Sequence, residues 1–241
     1  MNRLNLQIFP TFVSFGTLGN KTKELNKQLV SDIWKDINSN PLPPQTSGHG
    51  DMATSTSLEN KYDSFKSLAE HIAHWAEPAI KEAGFYFEEV RCKGLQAKVI
   101  KDPAGYHMPH SHDGSNYWTG VYYPSSGILN GEWLEDDIDL DNTMPLVESL
   151  SLPKPGSIVL LDPIECVKVS SLREAAFNMS FGPNQNKKLV DRYPNHGHPI
   201  AMVPRQSGIV MFPTFLPHMV TPHRNNNLER HAIPFHIEIK Y

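Results

Sequence analysis

Two cysteines, Cys92 and Cys166, are too few to build a disulfide framework, and a reducing compartment is the simpler reading. No apolar stretch approaches the length that spans a bilayer, and residues 1–10 lack the apolar run of a signal peptide. The expectation is therefore a cytoplasmic protein. Charge of one sign is also missing: the net charge of −4 leaves no footprint for nucleic acid or an anionic membrane surface. No serine or cysteine lies in a nucleophile turn, so a catalytic triad has no support. Neither an internal repeat nor a linker interrupts the 241 residues, which read as a single domain over 1–241.

What is present is an ordinary apolar fraction, 39%, enough to bury a sizeable core, and 20 prolines, which favour a loop-rich β architecture. Residues 3–16 alternate well enough for a starting strand. From Asn20 to Ile37, Leu25, Leu29, Ile33 and Ile37 recur every four residues and predict a helix. Residues 39–57, rich in Ser, Thr, Gly and Pro, read as a loop. A second helix is predicted over Asn60–Gly84, with Phe65, Leu68, Ile72 and Trp75 in its stripe, Gly84 as its stop and Pro78 as a break or kink. His71 and His74 on this helix read as surface or supporting residues.

After Phe85 short apolar runs replace the helical period: Leu95–Ile100, Tyr117–Tyr123, Ser157–Leu161, His198–Val203, Ser207–Phe212 and Arg230–Ile239. The acidic stretch Glu132–Glu148 and residues 182–197 read as loops. The expected fold is mainly β: a jelly roll (double-stranded β-helix) buttressed by N-terminal helices. Residues 1–90 form the N-terminal strand and helical buttress, and 91–241 the jelly-roll catalytic core.

The chemistry concentrates in two segments. His110-Ser111-His112-Asp113 precedes the run at Tyr117, and His218 follows an apolar strand, with Arg230 twelve residues later. Alternate side chains of a strand share a face, so His110 and His112 can point into one cavity, joined by His218 from a distant strand. His107 can face inward as well, although Pro109 obscures the chain direction there. Three such donors on one side of a metal leave open positions for oxygen and a co-substrate, the layout of a mononuclear non-heme iron site. Arginine's planar fork suits a dicarboxylate co-substrate.

These segments carry a specific likeness. His110-Ser-His112-Asp-Gly-Ser-Asn-Tyr-Trp-Thr-Gly-Val-Tyr-Tyr, the stretch from Gly208 through Phe212-Pro-Thr-Phe-Leu-Pro-His218, and Arg230-His-Ala-Ile-Pro-Phe resemble the 2-oxoglutarate/Fe(II)-dependent dioxygenase superfamily. Within it the likeness is to a 2OG-Fe(II) oxygenase branch of bacteria and bacteriophages, over roughly residues 90–241. The resemblance implies His110 and His218 as iron ligands and Arg230 as the partner of the distal carboxylate of 2-oxoglutarate. The superfamily's usual second ligand is a carboxylate. Here either His112 or Asp113 fills that place, and strand alternation favours His112. Tyr122 or Tyr123 would bond the co-substrate, one of the two facing the cavity. Asn116 and Asn178 are candidates to orient the ligands. The implied cofactors are Fe(II), 2-oxoglutarate and O2. The implied reaction hydroxylates a C–H bond while 2-oxoglutarate becomes succinate and CO2.

Two rivals compete. A cupin also carries an HxH motif, but its following glutamate is absent before Glu132 and it has no use for Arg230. A non-catalytic jelly-roll binding or structural module would use aromatics such as Tyr117, Trp118 and Trp133 as a groove. The prime substrate, small-molecule or peptidyl, carries no readable code, and a homodimer is compatible with an edge-bearing β-sandwich.

Overall fold

The computed structural model describes residues 3–8, 11–42, 48–49, 51–102, 104–112, 117–129, 132–133, 139, 146–149, 156–161, 200–222 and 227–241. Its elements in chain order are β1 (Arg3–Ile8), β2 (Thr11–Thr17), α1 (Lys23–Ser39), β3 (Gly48–His49), β4 (Asp51–Ala53), α2 (Asp63–Glu82), β5 (Glu89–Lys93), β6 (Lys98–Ile100), β7 (Tyr106–His110), β8 (Trp118–Leu129), β9 (Glu132–Trp133), β10 (Leu146–Ser149), β11 (Ile158–Leu160), β12 (Ile200–Val203), β13 (Gly208–Pro213), β14 (His218–Val220) and β15 (Leu228–Lys240). Short 3-10 turns precede each helix.

The strands form two sheets with every pairing antiparallel. One runs β1-β2-β13-β8-β15-β6-β4, with β5 added to β15 and β9 to β8; the other runs β10-β12-β11-β14-β7-β3. At the centre, β13-β8-β15-β6 faces β12-β11-β14-β7, the eight-stranded arrangement of a jelly roll. Strand alternation builds two cores from the same three strands. Trp118, Tyr122, Ile209, Met211, Ile233 and Phe235 point outward and bury the apolar stripes of α1 and α2. Tyr123, Val210 and Phe212 point inward and meet Ile158, Leu160, Ile200 and Met202 of the second sheet. The helices therefore cover the outer face of one sheet and leave the space between the sheets for a cavity.

The helices follow their sequence period. Leu29, Val30, Ile33 and Ile37 of α1 and Phe65, Leu68, Ile72, Trp75, Ala79 and Ile80 of α2 are buried. Gly84 at φ 90° ends α2: its N–H bonds Lys81 O, and the N–H of Phe85 bonds Ile80 O, a Schellman closure. Asp36, buried on α1, receives Lys61 and the Ser55 hydroxyl and N–H, pinning α1 to the segment that leads into α2.

Several expectations are corrected. The starting strand is a hairpin, β1 paired with β2. Pro78 does not break α2, which runs on to Glu82; the proline lies on the exposed side, where the loss of one backbone hydrogen bond is not buried. Residues 39–57 are not all loop: β3 pairs β7 and β4 pairs β6. Strands also occupy both ends of the acidic stretch, as β9 and β10. Trp118 is buried against the helix side and cannot line a groove, whereas Tyr117 is 44% exposed. Residues 182–197, Asp113, Asn116, Cys166 and Asn178 lie outside the described residues. No helix among those described is long and apolar enough to cross a membrane.

Candidate metal centre

Pairing between β7 and β14 places His218 directly opposite His110. β7 ends at His110, and the chain then turns so that His112 donates its backbone N–H to Thr214 O at 2.9 Å. That bond ties the His112 segment to the turn just before His218. The three imidazoles converge: one ligand atom from each of His110, His112 and His218 lies within 4.8 Å of the other two. His110 and His112 therefore share the site, although His112 stands beyond the strand that was expected to hold both.

Two of the rings are oriented by the backbone. His110 Nδ1 is 2.7 Å from Met108 O and His218 Nδ1 is 3.0 Å from Leu216 O. A carbonyl only accepts, so each Nδ1 carries the hydrogen and each Nε2 is left as a bare lone pair. A carbonyl behind each ring is the support a metal-binding imidazole needs. Burial holds both rings below the usual histidine range, His218 well below it, and the neighbouring imidazoles add to this. Neutral imidazoles are the form that ligates a metal.

The same cavity lies between the sheets and is walled by Phe212, Ile158, Val220 and Ala232 besides the three imidazoles. Arg230 lines it from β15 and is only 2% exposed. Its Nη2 lies 3.4 Å from the Tyr123 hydroxyl, and its guanidinium stands 5.2 Å from the centre of the Tyr123 ring. Nε and Nη1 have no partner among the described residues. Burial pulls the Arg230 pKa down, yet a guanidinium stays charged in proteins, so an unneutralised cation faces the cavity. Such burial costs several kcal/mol unless an anion meets it.

The two candidate tyrosines separate by strand alternation. Tyr123 lines the cavity beside Arg230; burial raises its pKa, and the Arg230 charge opposes the rise. Tyr122 does not line it. Its side chain points to the helix side and donates to Asn26 Oδ1 at 2.6 Å, in a buried network with Thr22 and Ser207. Burial there pushes its pKa up to about 12. The co-substrate expectation for Tyr122 is thus corrected, because the residue is committed to α1. His71 is also apart, bonded through Nδ1 to Ser67 O on α2. Sequence reasoning missed Lys98, and left His107 open; both line the cavity, and His107 is buried. Alternation puts Lys98 and Ile100 on one face of β6, but that this face is the cavity's follows only from the pairing of β6 with β15.

The jelly-roll fold is shared with solved 2-oxoglutarate-dependent enzymes. A prolyl-4-hydroxylase from Pseudomonas putida superposes with a TM-score of 0.54 at 13% identity, over 95% of this chain and 93% of that one. HygX from Streptomyces hygroscopicus, solved with nickel and 2-oxoglutarate bound, gives 0.54 at 12% identity, over 96% and 84%. SnoN, a non-heme alpha-ketoglutarate-dependent epimerase from nogalamycin biosynthesis, gives 0.52 at 11% identity, over 94% and 77%. At such identity the likeness concerns the fold; the likeness to a bacterial and bacteriophage branch stays a reading of the sequence motifs. No family model and no curated protein matches the chain.

Proposed function

We propose that the protein is an Fe(II)- and 2-oxoglutarate-dependent oxygenase that hydroxylates a small-molecule or peptidyl substrate and releases succinate and CO2. The observation that carries this reading is one cavity holding three converging imidazoles and a buried guanidinium with two nitrogens unpartnered among the described residues. The donor set fits the metal: imidazoles suit Fe(II), and three ligands leave positions open. His110, His112 and His218 would hold the ion, which when bound supplies oxygen activation and chelation of the 2-oxo acid. Arg230 would meet the distal carboxylate with its planar fork, and the Tyr123 hydroxyl beside it would accept from the guanidinium while donating to the same carboxylate. The apolar walls from Phe212, Ile158 and Val220 keep water from competing for these charges. A purely structural jelly roll gives no reason to bury an unpaired arginine beside three imidazoles.

The test is turnover. With Fe(II) and air, the protein converts 2-oxoglutarate to succinate and CO2, and the conversion stops under nitrogen or on replacing His218→Ala. An iron-loaded wild-type protein that consumes no 2-oxoglutarate in air refutes the assignment.

A further inference from the structure

Between the imidazoles and Arg230 the cavity wall carries a polar group that the reading above leaves unused. Lys98 on β6, His107 on β7 and Asp51 on β4 meet where one sheet edge approaches the other. His107 Nε2 lies 2.9 Å from Asp51 Oδ2. Burial would raise the Asp51 carboxyl, but the bond from His107 and the nearby Lys98 charge help to hold it below its usual value, while burial keeps His107 itself neutral. An ionised carboxylate only accepts, so Nε2 carries the hydrogen and Nδ1 is a lone pair. That lone pair faces the Lys98 ammonium at 3.5 Å. Lys98 makes no ion pair within 4.0 Å among the described residues, and burial depresses its pKa. A second under-neutralised cation therefore looks into the cavity.

Register fixes its depth. The cavity face of β15 runs through Arg230, Ala232 and Pro234. His236 follows two residues on, its ring centre 5.7 Å from that of His112. Ile100 pairs with Arg230, and Lys98 pairs with Ala232. Lys98 thus stands one inward-facing step nearer the imidazoles than Arg230, roughly 7 Å along the strand. The opposite sheet agrees: His110 pairs with His218, and His107 pairs with Val220, one step further in. A five-carbon diacid, with four bonds of about 1.5 Å between its carboxyl carbons, has the length to reach both cations.

We infer that Lys98 is a second anchor for 2-oxoglutarate: Arg230 takes the distal carboxylate, and Lys98 takes the carboxylate at the 2-oxo end. His107 and Asp51 are positioning residues that aim the ammonium. The inference rests on the oxygenase reading. It also answers the charge balance of a three-imidazole site, which brings no negative ligand of its own to the cavity, so that a dianion is the complementary guest for two side-chain cations.

The experiment is calorimetric titration of the nickel-loaded full chain with 2-oxoglutarate and with 2-oxopentanoate, which lacks the distal carboxylate. Lys98→Met weakens both ligands by roughly tenfold, the worth of one charge-assisted hydrogen bond. The ratio between the two ligands and the affinity for nickel alone stay as in wild type. Arg230→Met weakens only 2-oxoglutarate and collapses the ratio. Asp51→Asn, which loosens the lysine without removing it, weakens both ligands in the same direction by a smaller factor. Both ligands binding Lys98→Met and Asp51→Asn within twofold of wild type overturns the inference. So does a loss confined to 2-oxoglutarate, which would put Lys98 at the distal end. A wild-type protein that binds nickel but neither oxo acid overturns the oxygenase reading itself.

Discussion

Replacing Arg230→Met separates a ligand-binding arginine from a structural one. The side chain is 2% exposed; among the described residues Nε and Nη1 have no partner and only the Tyr123 hydroxyl, at 3.4 Å, is near Nη2. Holding an unpaired cation there costs several kcal/mol, and methionine keeps the apolar stem without the charge. The variant without ligand is therefore as stable as wild type or more so in urea unfolding. With ligand the order reverses. Removing one member of a buried charge pair costs about 3–5 kcal/mol, on the order of 10²–10³-fold in the dissociation constant. At a 2-oxoglutarate concentration of about 100 times the wild-type constant, with nickel present, the wild type gains about 2.7 kcal/mol of stability. A 100-fold weaker variant gains only about 0.4 kcal/mol under the same conditions. Nickel affinity is expected to stay unchanged, because Arg230 is not among the three imidazoles proposed to hold the metal. A variant that loses more than about 2 kcal/mol in the free state, while keeping the full ligand-induced gain, would show that Arg230 serves the fold and would refute the reasoning.

Single replacements His110→Ala, His112→Ala and His218→Ala each abolish tight nickel binding in equilibrium dialysis, whereas Asp113→Ala leaves it intact; retention in His112→Ala would pass the second ligand to Asp113. His231 is buried with neither ring nitrogen hydrogen-bonded among the described residues; Glu229 Oε2 stands 3.9 Å from Nε2, and burial, which outweighs that carboxylate, pulls the pKa down to about 4. Its unfolded value is about 6.5, so below that pH the unfolded chain binds the extra proton. Stability from this residue is complete above about 6.5 and is lost as pH falls towards about 4, up to about 3 kcal/mol. His231→Phe, which fills the site against Trp34, flattens that part of the urea-unfolding profile, and an unchanged slope contradicts the assignment. A Cβ at Gly120 would lie 2.3 Å from both Phe235 Cζ and Val210 O. Gly120→Ala therefore destabilises the protein by about 1–3 kcal/mol in the same assay, and a neutral result would show that β8 and β13 can part without cost.

The sequence made visible what has its own period. α1 and α2 were legible because their stripes are long, and β8, β13 and β15 because their apolar runs are strong. β3, β4, β5, β7 and β14 were not, since they are short or polar and become strands only through partners far along the chain. β7 is the telling case: Tyr106–His110 contains a proline and two histidines and shows no strand pattern, yet it carries His110 opposite His218. HxH spacing and the later His218 and Arg230 were readable as a site because the residue types carry the chemistry. The choice between Tyr122 and Tyr123 was not readable, since both are buried and only the placement of α1 behind β8 decides it. Lys98 and Asp51 were beyond reach for the same reason, and His107 was readable only as a residue that can face inward: their meeting is set by the β4–β6 and β6–β15 registers, which no local pattern encodes.

Whether the three imidazoles share one ion is decided by anomalous diffraction at the iron edge, on crystals of the full chain grown anaerobically with Fe(II) and 2-oxoglutarate. One iron peak is expected, bonded to nitrogens of His110, His112 and His218, with a carboxylate of 2-oxoglutarate on the Arg230 guanidinium. Iron bound away from these imidazoles, or a guanidinium that meets no carboxylate, would contradict it.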